Sequence, residues 1–169
     1  TENKLSNNNI IAILKDHQGN MWVGTREGLN VFHPEKQGFQ SFRMEDGLPD
    51  NTILTIVEDD ENHLWVTTPN GISRISVQGA VAKGFQIHCR NYNEMDGLQG
   101  REFNENAALK ISSGELVVGG ANGMNIFNPV NIQSNINHTS IVLTDFQIFN
   151  KSIHTGEKVN GKKILNKAI

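Results

Sequence analysis

Apolar and polar positions follow one another in short runs along this chain, and the same order of runs returns three times. Residues 10–34 read IIAILKDHQGNMWVGTREGLNVFHP, residues 53–77 read ILTIVEDDENHLWVTTPNGISRISV, and residues 107–129 read AALKISSGELVVGGANGMNIFNP. Trp22 aligns with Trp65, and Trp65 with Val117, at spacings of 43 and then 52 residues. Repeats of this length are typical of propellers and solenoids, not of a single-core enzyme.

Each repeat is built from apolar runs of four to six residues separated by Gly, Asn and Asp clusters, which indicates strands joined by hairpins. The first two repeats supply three such runs each, at residues 10–14, 21–25 and 29–32, and at residues 53–57, 64–68 and 72–77. A fourth strand is expected at residues 39–42 and 85–92. Four antiparallel strands per repeat predict an all-β chain of three propeller blades, a partial β-propeller.

Two turns recur in every repeat. Gly and Asn tolerate a positive φ better than other residues, so the first turn is expected to be left-handed. This turn holds Gly19, Asn62 and Gly114 at equivalent positions, and the second holds Gly28, Gly71 and Gly123. Gly24, Thr67 and Gly119 are all small, which predicts a strand face that a neighbouring sheet approaches closely.

The repeats divide the chain into successive regions. Residues 4–10 match the second half of the connector that ends at Ile53, so residues 1–9 are expected to belong to a connector that follows a missing blade. The blades are expected at residues 10–52, 53–100 and 101–130.

Composition excludes several classes of protein. The 169 residues carry a net charge of −3 and a pI near 6.0, without a basic stripe, so a nucleic-acid surface is not expected. The single cysteine, Cys89, rules out an internal disulfide. The longest apolar run is about five residues, against the roughly 20 that a membrane span needs.

The chain shows no motif that would carry catalysis. The six histidines form no metal-ligand spacing, and no nucleophile motif or phosphate-binding glycine loop is present. The acidic segment at residues 58–62 lacks the spacing of a calcium loop and aligns with an ordinary turn. We therefore expect no catalytic residue, metal or cofactor.

Trp22 and Trp65 could be sugar-stacking platforms or core residues, and their identical register favours packing between blades. Trp22, Trp65, Gly28, Gly71 and Gly123 are thus interpreted as structural positions of the repeat. The candidates for ligand binding are polar residues at or near hairpin tips, where a scaffold displays functional groups. These candidates are Arg26, Asn70, Arg74 and Asn122.

The unit DHQGNMWVGTREGLNVF, followed by the connector DGLPDN, resembles the two-component-regulator propeller repeat. The last unit, DGLQGREFNENAALKISSGELVVGGANGMNIFNP, resembles the final blade before the β-sandwich of that family, the Y-Y-Y domain. Residues 140–153, SIVLTDFQIFNKSI, resemble the first strands of this sandwich, so residues 138–169 are interpreted as its truncated start. Arg101 and Val117 depart from the pattern.

The resemblance implies the periplasmic sensor region of a membrane-anchored hybrid two-component system of the Bacteroidetes type. Such proteins join a propeller sensor to a histidine kinase, a receiver and a DNA-binding domain, and many detect oligosaccharides and regulate genes for glycan use. The kinase activity would lie outside these residues, so this segment is not expected to be an enzyme.

Two alternatives remain open at this stage. One is a propeller lyase or hydrolase similar to streptogramin lyase, which would use a metal and a histidine near the propeller axis. The other is a propeller scaffold that binds only proteins. Three blades also leave two apolar sheet faces uncovered, which predicts self-association or packing against further blades of a longer parent.

Overall fold

A computed structural model describes residues 4–80, 84–132 and 145–164, and the chain forms two compact units, Thr1–Gln133 and Ser134–Ile169. The described part of the chain contains strands and short 3-10 turns but no α-helix, so the prediction of an all-β partial propeller is confirmed. No helix among these residues is long and apolar enough to cross a bilayer.

The first two repeats each fold into a four-stranded antiparallel sheet in which chain neighbours pair. The first sheet contains β1 (Ile10–Lys15), β2 (Met21–Thr25), β3 (Gly28–His33) and β4 (Gly38–Phe42). The second contains β5 (Thr55–Glu58), β6 (Leu64–Thr68), β7 (Gly71–Ala80) and β8 (Gly84–Tyr92). The longer β7–β8 hairpin accommodates most of the extra length of the second repeat.

The third repeat forms a sheet of three described strands, where four were expected. These are β9 (Phe103–Lys110), β10 (Leu116–Gly120) and β11 (Gly123–Phe127), with β10 in the middle. A fourth strand would have to follow residue 132, and residues 133–144 lie outside the described part of the chain.

The second unit is described over residues 145–164, where it forms two small hairpins. They consist of β12 (Gln147–Ile148) with β13 (Lys151–Ser152), and β14 (Lys158–Val159) with β15 (Lys162–Lys163). The expected start of a sandwich domain at residue 138 lies outside the described residues.

Turn chemistry sets the corners of all three sheets. The φ angles of Gly19, Asn62 and Gly114 are 86°, 67° and 84°, so the left-handed conformation expected at this position is confirmed. In each repeat this turn closes the hairpin between the first and second strands.

Packing between successive sheets forms the core of the first unit. Trp22, Leu29 and Val31 of the first blade pack against a layer of second-blade residues, which comprises Ile56, Leu64, Val66, Ile75 and Phe85. The opposite face of the second blade packs Leu54, Trp65, Ile72 and Tyr92 against third-blade Phe103, Leu116 and Val118. Alternate residues of one strand thus serve the two interfaces, as the two-residue period of a strand requires.

The connector between the first two blades is part of the first interface. Ile53 is fully buried, and its backbone N–H donates to the carbonyl of Thr25 over 2.9 Å. A Cβ added to Gly24 would lie 2.7 Å from Cγ2 of Ile53. The close approach at Gly24 is thus made by Ile53 of the connector, where a neighbouring sheet was expected.

Candidate functional site

A buried carboxylate fixes the large aromatic residue of each of the first two blades. Trp22 Nε1 donates to Asp16 Oδ2 and Trp65 Nε1 donates to Asp59 Oδ2, each over 2.8 Å. The same carboxylates accept backbone N–H groups of the turn, including those of Asn20 and His63. We call this arrangement the Asp–Trp pair. It joins the first hairpin turn to the core of the blade.

The third blade has replaced both members of this pair. Val117 stands at the Trp position, and Ile111 stands six residues earlier, where the other blades have Asp. The turn itself is kept, because Gly114 N–H still donates to the carbonyl of Ile111 as Gly19 N–H does to that of Asp16. Replacing both partners together avoids a buried donor or carboxylate that has lost its counterpart.

The repeat positions are equivalent in register. Trp22 faces Leu14 and Val31 on the neighbouring strands, as Val117 faces Leu109 and Ile126. Trp22 and Trp65 are 0% and 3% exposed, so neither ring offers a free face for stacking on a sugar. Val117 is half-buried, because its face of the third sheet carries no further described blade.

Three of the four ligand candidates lie on one edge of the blades, which we call the tip edge. It consists of the turns between the second and third strands, at residues 25–28, 68–71 and 120–123. A threonine closes the first two of these turns: Thr25 Oγ1 donates to the carbonyl of Gly28, and Thr68 Oγ1 to that of Gly71. Gly28, Gly71 and Gly123 all have positive φ, at 144°, 102° and 122°.

Arg26 connects the first and third blades on the tip edge. Its Nη2 lies 2.7 Å from Oε1 of Glu105, on the innermost strand β9 of the third blade. Both side chains are about half exposed, at 51% and 45%, so each keeps hydrogen-bonding capacity toward solvent. Sequence patterns do not indicate this contact, because 79 residues separate the two partners.

The two asparagine candidates are exposed, and contacts to the connectors fix their turns. Asn70 Nδ2 donates to the carbonyl of Pro49 over 3.1 Å, which holds the second-blade turn against the preceding connector. Asn122 is restrained through its backbone, since its N–H donates to Oε1 of Gln99 over 2.7 Å. The tip edge therefore presents amide groups on well-held turns.

Arg74 does not belong to this group. It lies within β7 opposite Trp65, toward the end of the blade that carries the Asp–Trp pair. Its guanidinium lies 6.0 Å from the centroid of the Trp65 ring, and Nη2 is 2.9 Å from Oε2 of Glu61. Arg74 therefore lies on the opposite edge from the other three candidates, in contact with Trp65 and Glu61.

That opposite edge holds a polar cleft of about 190 Å³ between the turns of the first two blades. Two histidines and several carboxylates line it, and His17 Nδ1 lies 2.6 Å from Oε1 of Glu58 across the junction. The backbone N–H of His17 donates to the same carboxylate over 2.8 Å. Glu58 thus ties the first-blade turn to the innermost strand of the second blade.

Asp59, Glu61 and His63 lie close enough together to suggest a metal site. The donor atoms are already used: Oδ1 of Asp59 accepts the backbone N–H groups of Glu61 and His63, and Oδ2 accepts Trp65 Nε1. Arg74 Nη2 lies 3.0 Å from His63 Nδ1, so a guanidinium occupies the space beside the carboxylate and the imidazole. This set of donors fits a structural network better than a cation site.

Cys89 lies on β8 at the junction with the preceding connector. Burial raises the pKa of its thiol above the ordinary value, and the neighbouring Ser73 opposes this shift in part. The thiol is thus neutral at physiological pH, so Cys89 acts as a small apolar residue at this junction.

Comparison with known proteins finds a similar repeat in two segments of the chain. The family described as two component regulator propeller matches residues 4–27 and 47–70. A protein named histidine kinase P4, from Formosa agariphila, is 33% identical over 84 residues, which cover 48% of this chain and 6% of that protein. This chain therefore spans a small part of its curated relative.

Solved structures similar to this chain include two extracellular domains from B. thetaiotaomicron that are described as parts of putative hybrid two component systems. The first is 18% identical with a TM-score of 0.45, over 92% of this chain and 28% of that one. The second is 22% identical with a TM-score of 0.41, over 73% of this chain and 24% of that one. The matched segments consist of the connector and the first two strands of each of the first two blades, and these segments are similar to two-component-regulator propeller repeats.

Proposed function

We propose that this chain is part of the extracytoplasmic ligand-sensing region of a membrane-anchored hybrid two-component system, and that it binds an oligosaccharide on the tip edge. The propeller repeats and the relative named as a histidine kinase support the sensor role. In this proposal the segment binds ligand, and the kinase and DNA-binding parts belong to the rest of the parent protein.

The observation that carries the binding site is the equivalence of three hairpin turns. Arg26, Asn70 and Asn122 stand at corresponding tips of three packed blades, each on a turn that is closed by a hydrogen bond or a glycine of positive φ. A sugar presents many hydroxyls that need fixed donors and acceptors, and pre-organised turns supply these at low entropic cost. Because Trp22 and Trp65 are buried, polar contacts dominate this site.

Arg26 has a specific part in such a site. Its ion pair with Glu105 already joins two blades, and both side chains remain about half exposed. A guanidinium and a carboxylate side by side can donate to and accept from adjacent hydroxyls of one sugar ring. Ligand bound there would contact the first and third blades at once.

Calorimetry of the chain against a panel of oligosaccharides tests the proposal. For any sugar that binds, Arg26→Ala, Asn70→Ala and Asn122→Ala should each weaken affinity about 5- to 30-fold, the effect of losing a polar contact of ~1–2 kcal/mol. Arg74→Ala, on the opposite edge, is the matched control and should leave affinity unchanged. Affinity equal to that of the unaltered chain in all four variants would remove the tip edge as the site.

A protein scaffold predicts a different result from the same panel. Such a scaffold would bind no oligosaccharide, whatever the state of the tip edge. The absence of heat with every sugar, in a chain shown by circular dichroism to be folded, would therefore favour the scaffold over the sensor.

A further inference from the structure

The innermost strand of the third blade carries an enlarged β-bulge. Four residues of β9, at positions 104–107, stand opposite the single residue Gly119 of β10, and we call them the β9 bulge. The equivalent pairing of β5 with β6 is regular, and that of β1 with β2 has only one extra residue. A bulge redirects side chains out of the ladder, and bulges are over-represented beside functional sites.

The β9 bulge has polar residues where the second blade has core residues. Counted back along each innermost strand from the residue opposite the Trp or Val of the repeat, Glu105 stands at the position of Ile53. Asn106 follows at the position of Leu54. The two apolar residues are 0% and 5% exposed, whereas the two polar ones are exposed. Phe103, just before the bulge, is buried in the core between the second and third blades, so packing does not account for the polar residues.

Contacts to both other blades hold the bulge in place. The backbone N–H of Asn106 donates to the carbonyl of Leu54 over 3.4 Å. Oε1 of Glu105 lies 2.7 Å from Nη2 of Arg26 on the tip edge. Among the described residues, the side chains of Asn104 and Asn106 have no hydrogen-bond partner. The bulge is therefore a fixed segment with unused donors and acceptors.

Gln99 joins the bulge to a second ligand candidate. Its Nε2 donates to the carbonyl of Glu102 over 2.9 Å, two residues before the bulge. Its Oε1 accepts the backbone N–H of Asn122 over 2.7 Å. The turn of Asn122 and the bulge are thus tied to the same side chain, as Arg26 is tied to Glu105. Two of the three candidates on the tip edge therefore belong to one network with the bulge.

Negative charge dominates this side of the blades. The tip edge, its connectors and the bulge contain eight acidic and four basic residues, within residues 4–9, 25–28, 43–54, 68–71, 93–107 and 120–123. Two of the three arginines among them are already paired, Arg26 with Glu105 and Arg101 with Glu94, each over 2.7 Å. A ligand that carries carboxylates or sulfates would therefore meet a field of like charge.

We propose that the β9 bulge determines the specificity of the tip-edge site and selects an uncharged oligosaccharide. This inference rests on the proposed function, because it concerns the same site. The amides of Asn104 and Asn106 donate to and accept from hydroxyls of the sugar, as Glu105 accepts from them. By pairing with Arg26, Glu105 also removes the cation that a uronic acid or a sulfated sugar would need.

Calorimetry at low salt with paired probes tests the selection by charge. The probes are oligosaccharides of glucose, galactose and mannose, each in its neutral form and with a C6 hydroxymethyl group oxidised to a carboxylate. For a sugar that binds, the neutral form should bind about 5- to 10-fold more tightly than the oxidised form. Salt at about 0.5 M should reduce this difference, because it screens the charges.

Two variants of the bulge have matched controls on the opposite edge. Asn106→Gly keeps the positive φ of 57° and removes the amide, so the affinity for the neutral sugar should fall about 3- to 10-fold. Asn62→Gly, at a φ of 67°, is its control and should leave the affinity unchanged.

Glu105→Gln frees the guanidinium of Arg26 from its ion pair, so the preference for the neutral form should fall to about twofold or less. Glu61→Gln, which removes the carboxylate 2.9 Å from Arg74 Nη2, is the control and should keep the preference of the unaltered chain.

The outcomes separate this inference from the function on which it rests. If Arg26→Ala and Asn122→Ala weaken binding but Asn106→Gly does not, the tip edge is the site and the bulge has no part in it. A loss of stability in urea without a loss of affinity in Asn106→Gly would likewise show that the bulge only links the blades. Oxidised sugars that bind as tightly as the neutral ones would overturn the selection by charge. If no sugar of either form binds, the proposed function fails and this inference fails with it.

Discussion

The second and third blades share a backbone pattern and differ in what covers them. The second is packed on both faces, and its Asp–Trp pair lies at 3% exposure for each member. Within the described residues, the third is packed on one face, and it has Ile111 and Val117 in place of that pair. A buried carboxylate is thus found in the turns of the blades whose tryptophan needs a hydrogen-bond acceptor. In the third blade, the tryptophan and the carboxylate are both absent.

The largest effect is expected from the Asp–Trp pair itself. Asp59→Ala leaves the buried Trp65 Nε1 and the partly buried backbone N–H groups of Glu61 and His63 without their acceptor. The free energy of unfolding should fall by about 3–5 kcal/mol, since each unsatisfied donor costs ~1–3 kcal/mol. Urea unfolding followed by tryptophan fluorescence measures this loss. A change below about 1 kcal/mol would show that the carboxylate does not stabilise the blade.

A glycine substitution at matched positions sharpens the comparison. At Gly71, φ is 102° and an added Cβ would collide with the carbonyl oxygen of Tyr92. At Gly123, φ is 122° and no described atom lies within 4 Å of the added Cβ. Gly71→Ala should therefore cost about 3 kcal/mol of stability, and Gly123→Ala only the ~1–2 kcal/mol of backbone strain.

Thermal unfolding by circular dichroism, applied to both variants and the unaltered chain, compares the two positions. Equal losses at the two positions would mean that packing against the outer strand adds nothing to the strain at Gly71.

A smaller effect is expected at the rim of the second interface. Lys110 and Asp60 form an ion pair that is 36% and 63% exposed, so solvent screens most of its energy. Lys110→Ala should lower the stability by about 0.5 kcal/mol or less, and salt at about 0.5 M should abolish the difference. A loss above about 1 kcal/mol, or one that salt leaves unchanged, would contradict this screened pair.

The smallest effect on stability at neutral pH is expected from the ionisation of Cys89. The pKa of this thiol shows whether the junction of the first two blades is packed. Because burial raises the pKa of the thiol in the folded chain, the unfolded chain ionises first as the pH rises. The contribution of the neutral thiol to stability is thus complete below 9.0, the ordinary pKa of a cysteine thiol, and decreases as the pH rises above that value.

The rate of alkylation by iodoacetamide should accordingly rise with an inflection above pH 9.0 in the folded chain. The same chain in urea serves as the control and should show its inflection near 9.0. Coincident inflections would mean that the thiol is solvated and the junction open.

The predictable part of the fold is local chemistry that recurs. Gly19 and Asn62 indicate a left-handed turn because few other residues adopt it, and the spacing of Trp22 and Trp65 aligns equivalent strands of the first two blades. The Asp–Trp pair had a signal too, since Asp precedes Trp by six residues in both blades and is absent where Trp is absent. The structure explains this spacing, because the indole N–H of each Trp donates to the Asp carboxylate over 2.8 Å.

The candidate site was harder to predict because its partners are distant in sequence. Arg26 meets Glu105 through the packing of blades that are not neighbours along the chain. Arg74 resembled a loop residue because it is charged and follows a glycine turn closely. Its place opposite Trp65 depends on the strand register, which puts it against an aromatic ring and not in solvent.

The contacts of Ile53 place the structural boundary between the first two blades after this residue, whereas the sequence repeat begins at it. The repeats align from this residue, yet its side chain fills the space above Gly24 and its amide bonds to Thr25 in the blade before it. An excision made at residue 53 would separate the first blade from the side chain that seals it. A variant that gains or loses a whole repeat should therefore be cut within the exposed stretch at residues 60–62. A cut there keeps Ile53 in the same segment as the Gly24 and Thr25 that it contacts.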